Sequence, residues 1–326
     1  MKAWLCREFA SIEALTLVEV PEPQAAAGEV VVAVRAASLN FPDALIVQGK
    51  YQVRPPLPFV PGAEFAGVVH AIGEGVSQVK VGDRVICIAG TGGFAEYAAV
   101  PVRQVLPLPV GFDFEQAAAF VFTYGTSLWA LRNVGALQAG ETVLILGASG
   151  GVGTAAIQIA KAMGARVIAA ASSDEKLALC ARLGADHTVN YSEEGWRERV
   201  NEIVGKAGLD VVFDAVGGPY SEPALRSLGW RGRFLVVGFA AGEIPKIPLN
   251  LALLRERQIL GVYWGDSMMR HPQAHAANLQ QLAEWFAQGK LAPAITRRYG
   301  FDEVRDALLD MANRRVLGKV VVRVSP

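Results

Sequence analysis

Apolar and polar positions change rhythm along this chain near residue 140. Before it, short β-rich runs at 30–36, 65–71, 84–88 and 94–100 are separated by turn signals such as VGD and GTGG. Strands at that spacing predict a compact, largely antiparallel, barrel-like domain. Residues 113–132 then read as helical, with DFEQAA as the start. From Thr142 onward apolar runs alternate with helical periodicity. Strands are expected at 142–147, 166–170, 188–190, 210–214, 234–238 and 259–263, with helices at 151–163, 175–183 and 221–228 among them. This alternation predicts a mostly parallel sheet with helices on both faces. Two more helices, 274–288 and 302–314, and a last strand, 319–324, complete the pattern. The chain shows no internal repeat and no low-complexity segment.

One turn carries chemistry. Residues 142–153 read TVLILGASGGVG, an apolar strand entering a glycine-rich turn that opens a helix. Ala148, Gly150 and Gly153 stand at the spacing of the dinucleotide fingerprint, with alanine in place of the first glycine. A bare Gly150 lets backbone N–H groups approach a pyrophosphate, and Gly153 lets helix and strand pack closely. Ser149, Gly151 and Val152 complete the turn, whose helix points its positive end at the phosphates.

Composition narrows the class. At 326 residues two domains are expected, and 52% hydrophobic with 19% charged residues describes a folded globular chain. Lys+Arg and Asp+Glu both number 31, so no basic surface for nucleic acid is expected. No apolar run is long enough to span a bilayer, and the N-terminus lacks the pattern of a secretion signal. Cys6, Cys87 and Cys180, few and far apart, read as reduced thiols of a cytoplasmic protein.

Longer stretches carry a resemblance. They are Asn40-Phe41-Pro42-Asp43, Gly49-Lys50-Tyr51, the run from Pro58 to Val69, Gly82-Asp83-Arg84-Val85, Gly93-Phe94-Ala95-Glu96-Tyr97 and the glycine turn. Through them the chain resembles the medium-chain dehydrogenase/reductase superfamily nearly end to end. It is most similar to the zinc-free quinone oxidoreductase, or zeta-crystallin-like, branch. The resemblance implies an α/β protein: a GroES-like β-rich catalytic domain (1–121 and 264–326) around a Rossmann domain with a doubly wound parallel sheet (122–263). Zinc-dependent relatives carry a cysteine near position 38 and a histidine beside Glu64, where this chain has Ser38 and Ala63. Cys87 stands alone where a structural zinc lobe needs four cysteines. His271 and His275, interrupted by Pro272, read as an exposed, structural pair. No metal is expected.

The end of the second parallel strand decides the cofactor. An NAD site usually places an acid there, whereas this chain reads Ala171-Ser172-Ser173-Asp174-Glu175-Lys176. Ser172 can donate to a 2′-phosphate and Lys176 can supply charge, so NADPH is expected; Asp174 and Glu175 would oppose it if turned inward. Ser173 also reads as a helix cap, compatible with that role. The family adds Tyr191 after the third strand, Thr126 toward the nicotinamide, Gly238, Phe239 and Ala240 toward the carboxamide, and Arg314 toward the adenosine phosphate. Asp214 reads equally as a turn cap.

Without a Lewis acid, the acceptor must already be electrophilic: a quinone or, as the alternative, an α,β-unsaturated carbonyl such as an enone, alkenal or enoyl thioester. The family motif places Asn40, Asp43 and Tyr51 around this small-molecule acceptor, with Asn40 and Tyr51 as hydrogen-bonding or proton-relaying candidates and Asp43 as support. The same motif is also a good turn sequence. A non-catalytic, NADPH-loaded structural protein is the reading of another class. Finally, QILGVYW at 258–264 reads as an apolar edge strand, which family members pair across a twofold axis, implying a homodimer.

Overall fold

The computed structural model describes residues 1–324. Two compact units divide the chain, the first from Met1–Phe122 with the residues from Pro293 onward, the second Thr123–Ala292.

In the first unit one long strand, Glu29–Leu39, organises the sheet. Its N-terminal half pairs antiparallel with Tyr97–Pro101, its C-terminal half with Lys319–Arg323, and its other edge with Glu64–Ile72. Arg84–Ile88 and Val105–Pro107 extend one side, and Ile295–Gly300, parallel to Lys319–Arg323, closes the other. The expected antiparallel, β-rich domain is therefore present. Val30, Val32 and Val34 alternate into its core with Phe65, Phe94 and Val100, as a half-buried sheet requires. Val304, Ala307, Leu308 and Met311 come from the helix Val304–Ala312 at the spacing of one helical face.

Two details differ from expectation. The strand expected from 94 begins at Tyr97. Phe94 and Ala95 instead engage the N-terminal segment, through a bond from Trp4 N–H to Phe94 O (2.9 Å) and a bridge between Ala3 and Ala95. Phe41–Val47, whose first residues read as a turn, is a helix with proline in its first turn, where the missing N–H is harmless.

The second unit holds six parallel strands in the spatial order His187–Asn190, Arg166–Ala171, Thr142–Leu146, Leu209–Asp214, Leu228–Val236 and Gln258–Gly261. This is the doubly wound order, with its switch point beside Thr142–Leu146. Val143 to Leu146 are completely buried, the continuous apolar run of a strand covered on both faces. The helix Trp196–Val204 was not among the expected elements.

The second unit runs past the expected return at 264 and keeps the helices Trp264–Arg270 and Pro272–Ala287. Local contacts explain this. Trp129 stacks on His275 with centroids 4.3 Å apart, and Asn278 bonds to Asn133 at 2.8 Å. His275 is thus a buried core residue held by Ser267 (2.9 Å), not an exposed one; only His271 is exposed.

Candidate functional site

Two constellations of polar groups stand out, one in each unit. In the second unit the glycine turn leaves Thr142–Leu146 and opens the helix Gly151–Ala162. Its glycines do different work. A Cβ on Gly153 would lie 2.3 Å from Gly147 O and 2.7 Å from Ala148 Cα, so this residue is bare to let helix and strand meet. A Cβ on Gly150 would meet only Gly147 O, at 3.4 Å. Packing therefore tolerates a side chain at Gly150, and the open space above it suits a closely approaching ligand.

The backbone points the same way. Ala148 N–H is used by Ala170 O (3.1 Å) and Gly150 N–H by Gly147 O (3.0 Å), so neither serves an anion. The first-turn amides of Gly151 and Val152 have no intrahelical acceptor. Gly150, as N-cap, gives them no side-chain acceptor, and the first turn carries no acid. Ser149 is nearly buried beside them. These groups fit a pyrophosphate.

At the end of Arg166–Ala171 the structure brings Ser172 and Lys176 together, Lys176 Nζ donating to Ser172 Oγ at 2.9 Å. Ser173 caps the helix Asp174–Arg182. Asp174 and Glu175 are exposed, whereas Ser172 and Lys176 are half-buried. Tyr191 joins the same strand ends through its N–H to Ala171 O (3.1 Å), and its ring lies 4.4 Å from that of Tyr220. A hydroxyl and an ammonium side by side, with no carboxylate at the strand end, form a phosphate-sized donor pair.

The remaining expected cofactor residues are dispersed. Thr126 lies on the helix Val121–Leu128, where neighbouring Ser127 bonds to Val152 O at 2.8 Å. Gly238 and Ala240 use their amides on Asp214 O (3.2 Å) and Ala215 O (3.1 Å), and Phe239 is partly exposed. Asp214 is buried and committed to the turn, accepting from Val216 N–H (2.8 Å), Gly217 N–H (2.9 Å) and Ser221 Oγ (2.5 Å). Burial raises its carboxyl above the ordinary value. Arg314 belongs to the first unit, exposed in a left-handed turn with φ 58°.

In the first unit Asn40 and Asp43 come together at the start of Phe41–Val47, both buried. Asp43 accepts from Asn40 N–H (2.7 Å) and Ala63 N–H (3.0 Å), and desolvation raises its carboxyl to about 7 despite those bonds. The Asn40 side chain does not cap the helix; it faces Glu64 Oε2 (3.2 Å) and Lys319 Nζ (2.8 Å). Glu64 also accepts from Ser38 Oγ (2.8 Å), Phe122 N–H (2.8 Å) and Lys319 Nζ (3.4 Å). Tyr51 lies half-buried against the core of this unit, on the loop that follows the helix.

Lys319 is the functional candidate that motif reading passed over. Its sequence signal is a lysine opening a fully apolar strand, KVVV, after a glycine. Gly318 has φ 54°, and a Cβ there would lie 2.3 Å from Ala294 O, so only glycine delivers Lys319 to this position.

Comparison with known proteins identifies the scaffold. Residues 26–110 match the alcohol dehydrogenase GroES-like domain and residues 151–285 the zinc-binding dehydrogenase family. Quinone oxidoreductase-like protein 2 of Bos taurus is 40% identical over 98% of this chain and 92% of its own length. The chain belongs to the medium-chain dehydrogenase/reductase superfamily, in its quinone oxidoreductase-like branch. Its members are oxidoreductases. The quinone oxidoreductase from Thermus thermophilus, whose structures include a complex with NADPH, superposes with a TM-score of 0.84 at 37% identity, covering 99% of this chain and 100% of that one. The CurK enoyl reductase superposes at 0.89 with 28% identity, covering 99% of both.

The matched zinc-binding family raises the question of a metal. Position 38 offers a serine hydroxyl already bonded to Glu64, position 63 offers alanine, and an ammonium lies 3.0 Å from Ser38 Oγ. These residues do not fit zinc, which takes thiolate, imidazole or carboxylate ligands around an open position. Among the described residues, no group of three or more His, Cys, Asp or Glu is arranged to hold a metal ion, and no helix is long and apolar enough to cross a membrane.

Proposed function

We propose that this chain is an NADPH-dependent quinone reductase that transfers hydride without zinc. The observation that carries the reading is the Ser172–Lys176 pair at the end of the second parallel strand, where an NAD site would hold an acid. Gly151 and Val152 amides would hold the pyrophosphate, Ser172, Lys176 and Tyr191 the 2′-phosphate side, and Thr126, Gly238, Phe239 and Ala240 the nicotinamide side. Bound there, NADPH supplies the hydride. The chain's own part is to orient the two reactants and exclude water. Asn40, locked between Glu64 and Lys319, supports the acceptor site with Asp43 behind it, and the family motif assigns Tyr51 to orienting an acceptor or relaying a proton. With no Lewis acid to polarise a carbonyl, an acceptor as activated as a quinone is favoured.

The likeness to an enoyl reductase supports a second reading, reduction of an activated carbon–carbon double bond. Steady-state rates with NADPH on 1,2-naphthoquinone, 1,4-benzoquinone, an alkenal and an enoyl-CoA separate the two. Turnover of the quinones is expected; turnover of the last two alone would overturn the quinone assignment. Replacing Ser172→Asp should move preference from NADPH toward NADH, and unchanged cofactor affinities would remove the basis for NADPH.

The chain is also proposed to work as a cytoplasmic homodimer. Gln258–Gly261 is the last strand of its sheet, with Ile259 40% exposed, and Tyr263, just after it, is 51% exposed. An open apolar edge of that kind favours pairing with a second copy. A monomeric mass by light scattering at micromolar concentration would contradict it. All three cysteines are free and buried, in keeping with a reducing compartment.

A further inference from the structure

The second unit has a cleft of about 520 Å³ between the start of Trp196–Val204, the helix Ser221–Arg226 and the loop at 243–246. That volume is within the range of small-molecule sites. Neither the glycine turn nor Ser172, Lys176 or Tyr191 lines it. Its walls are fixed in place. Gly218 N–H donates to Glu243 O at 3.0 Å, which fastens the loop to the turn before the helix. Pro219, Pro223 and Pro245 restrict the backbone on both sides, so an occupant has little chain to order.

Cations dominate the lining. Arg226 is committed to Glu222, its Nε and Nη2 donating to one carboxylate oxygen at 2.9 and 2.7 Å. Arg197 is only partly exposed, and its buried Nε has no hydrogen-bond partner. A buried donor without an acceptor costs about 1–3 kcal/mol, a cost that an anion in the cleft would remove. Lys246 is exposed and has no ion-pair partner among the described residues. Glu243 is the acid left over. Arg257 lies close by, 9% exposed, with donors spent on Leu228 O (2.8 Å), Leu251 O (3.0 Å) and Arg226 O (3.1 Å). Burial first, and then the charges of Arg255, Arg226 and Arg197, pull its guanidinium below the ordinary arginine value. The charges it feels are all positive.

We propose that this cleft binds a small phosphate monoester bearing hydroxyl groups, with the phosphate on Arg197 and Lys246 and a hydroxyl donating to Glu243. A guanidinium offers a fork of donors and an ammonium a mobile point charge, and both suit phosphate oxygens. Glu243 supplies selectivity. It repels a bare dianion and favours a ligand whose hydroxyls can donate to it. The cofactor's groups lie elsewhere in the same unit, so the second ligand and NADPH can be held together.

Calorimetric titration of the full chain with ribose 5-phosphate tests the proposal. One-site binding with Kd at or below about 1 mM is expected, unchanged by saturating NADPH. Ribose should not bind, and inorganic phosphate should bind at least about tenfold more weakly. Arg197→Gln should weaken ribose 5-phosphate by at least about tenfold without lowering the melting temperature, whereas Lys176→Ala should leave its affinity unchanged. Lys246→Gln, at an exposed position, gives the same readout if Arg197→Gln does not fold. Absence of saturable binding, undiminished affinity in the folded variants, or inorganic phosphate binding as tightly would overturn the proposal. So would displacement of ribose 5-phosphate by NADPH, which would return the phosphate to the cofactor's own site.

Discussion

The glycine turn of the second unit and the lysine cage of the first both gather polar groups, yet they are assembled differently. The turn, Ser172, Lys176 and Tyr191 come from one continuous stretch of parallel strands and helices, and their polar atoms stay partly open. The cage joins Lys319 to Ser38 and Glu64 across 281 and 255 residues, and it is closed to water. A site made of strand ends and helix starts holds its groups ready for a ligand. A site made of buried charges must satisfy them internally. The first can lose a residue and lose affinity; the second loses stability.

The largest expected effect tests that difference directly. Lys319→Ala strands the Glu64 carboxylate in the core and should cost about 3–5 kcal/mol in urea unfolding. Lys176→Ala, at the half-exposed site, should cost less than about 1 kcal/mol. Equal losses would remove the contrast.

The second test uses pH. Burial raises the folded Asp43 carboxyl to about 7, well above an unfolded aspartate. Between about pH 4 and 7 the folded chain holds a proton that the unfolded chain releases, so stability falls as pH rises through this window. The full contribution is roughly 4 kcal/mol at most. Asp43→Asn should flatten the wild-type slope of unfolding free energy against pH, and an unchanged slope would show that other groups set it.

Within the turn, Gly153→Ala forces a Cβ against Gly147 O and should destabilise by about 1–3 kcal/mol. Gly150→Ala should leave the melting temperature near wild type but weaken NADPH binding. If both changes act only on stability, the turn is a structural connection and no more. The smallest effect concerns cofactor choice. Lys176→Ala should weaken NADPH by about 10- to 100-fold and leave NADH unchanged, measured by fluorescence titration.

These contrasts also explain what was legible in the sequence. The parallel sheet, the glycine turn and the juxtaposition of Ser172 with Lys176 follow from local spacing, since strand, turn and helix fix neighbours a few residues apart. The helix Trp196–Val204 gives a weak signal, because its mean hydropathy is low and its start is a left-handed Gly195, not a conventional cap. The boundary at 264 is what the family resemblance implies, and no local pattern shows that Trp264 meets His275, which in turn stacks on Trp129. Asn40 and Asp43 were visible as a motif, but their partners were not. Lys319 reaches them only through the pairing of its strand with Glu29–Leu39, and a pairing at that separation leaves no local periodicity to read.

The path of the chain through the first unit has a consequence for its synthesis. Thr123–Ala292 is one uninterrupted stretch and has all its strands once translated, while the unit that encloses Glu64 still lacks Lys319–Arg323. Until that strand arrives, Glu64 has no counter-charge and half of one edge of Glu29–Leu39 is unpaired. A nascent chain therefore carries an open sheet edge while its second unit is already complete, the situation in which chaperones hold a chain and strands pair with the wrong partner. The residue that completes the cage also ends that exposure.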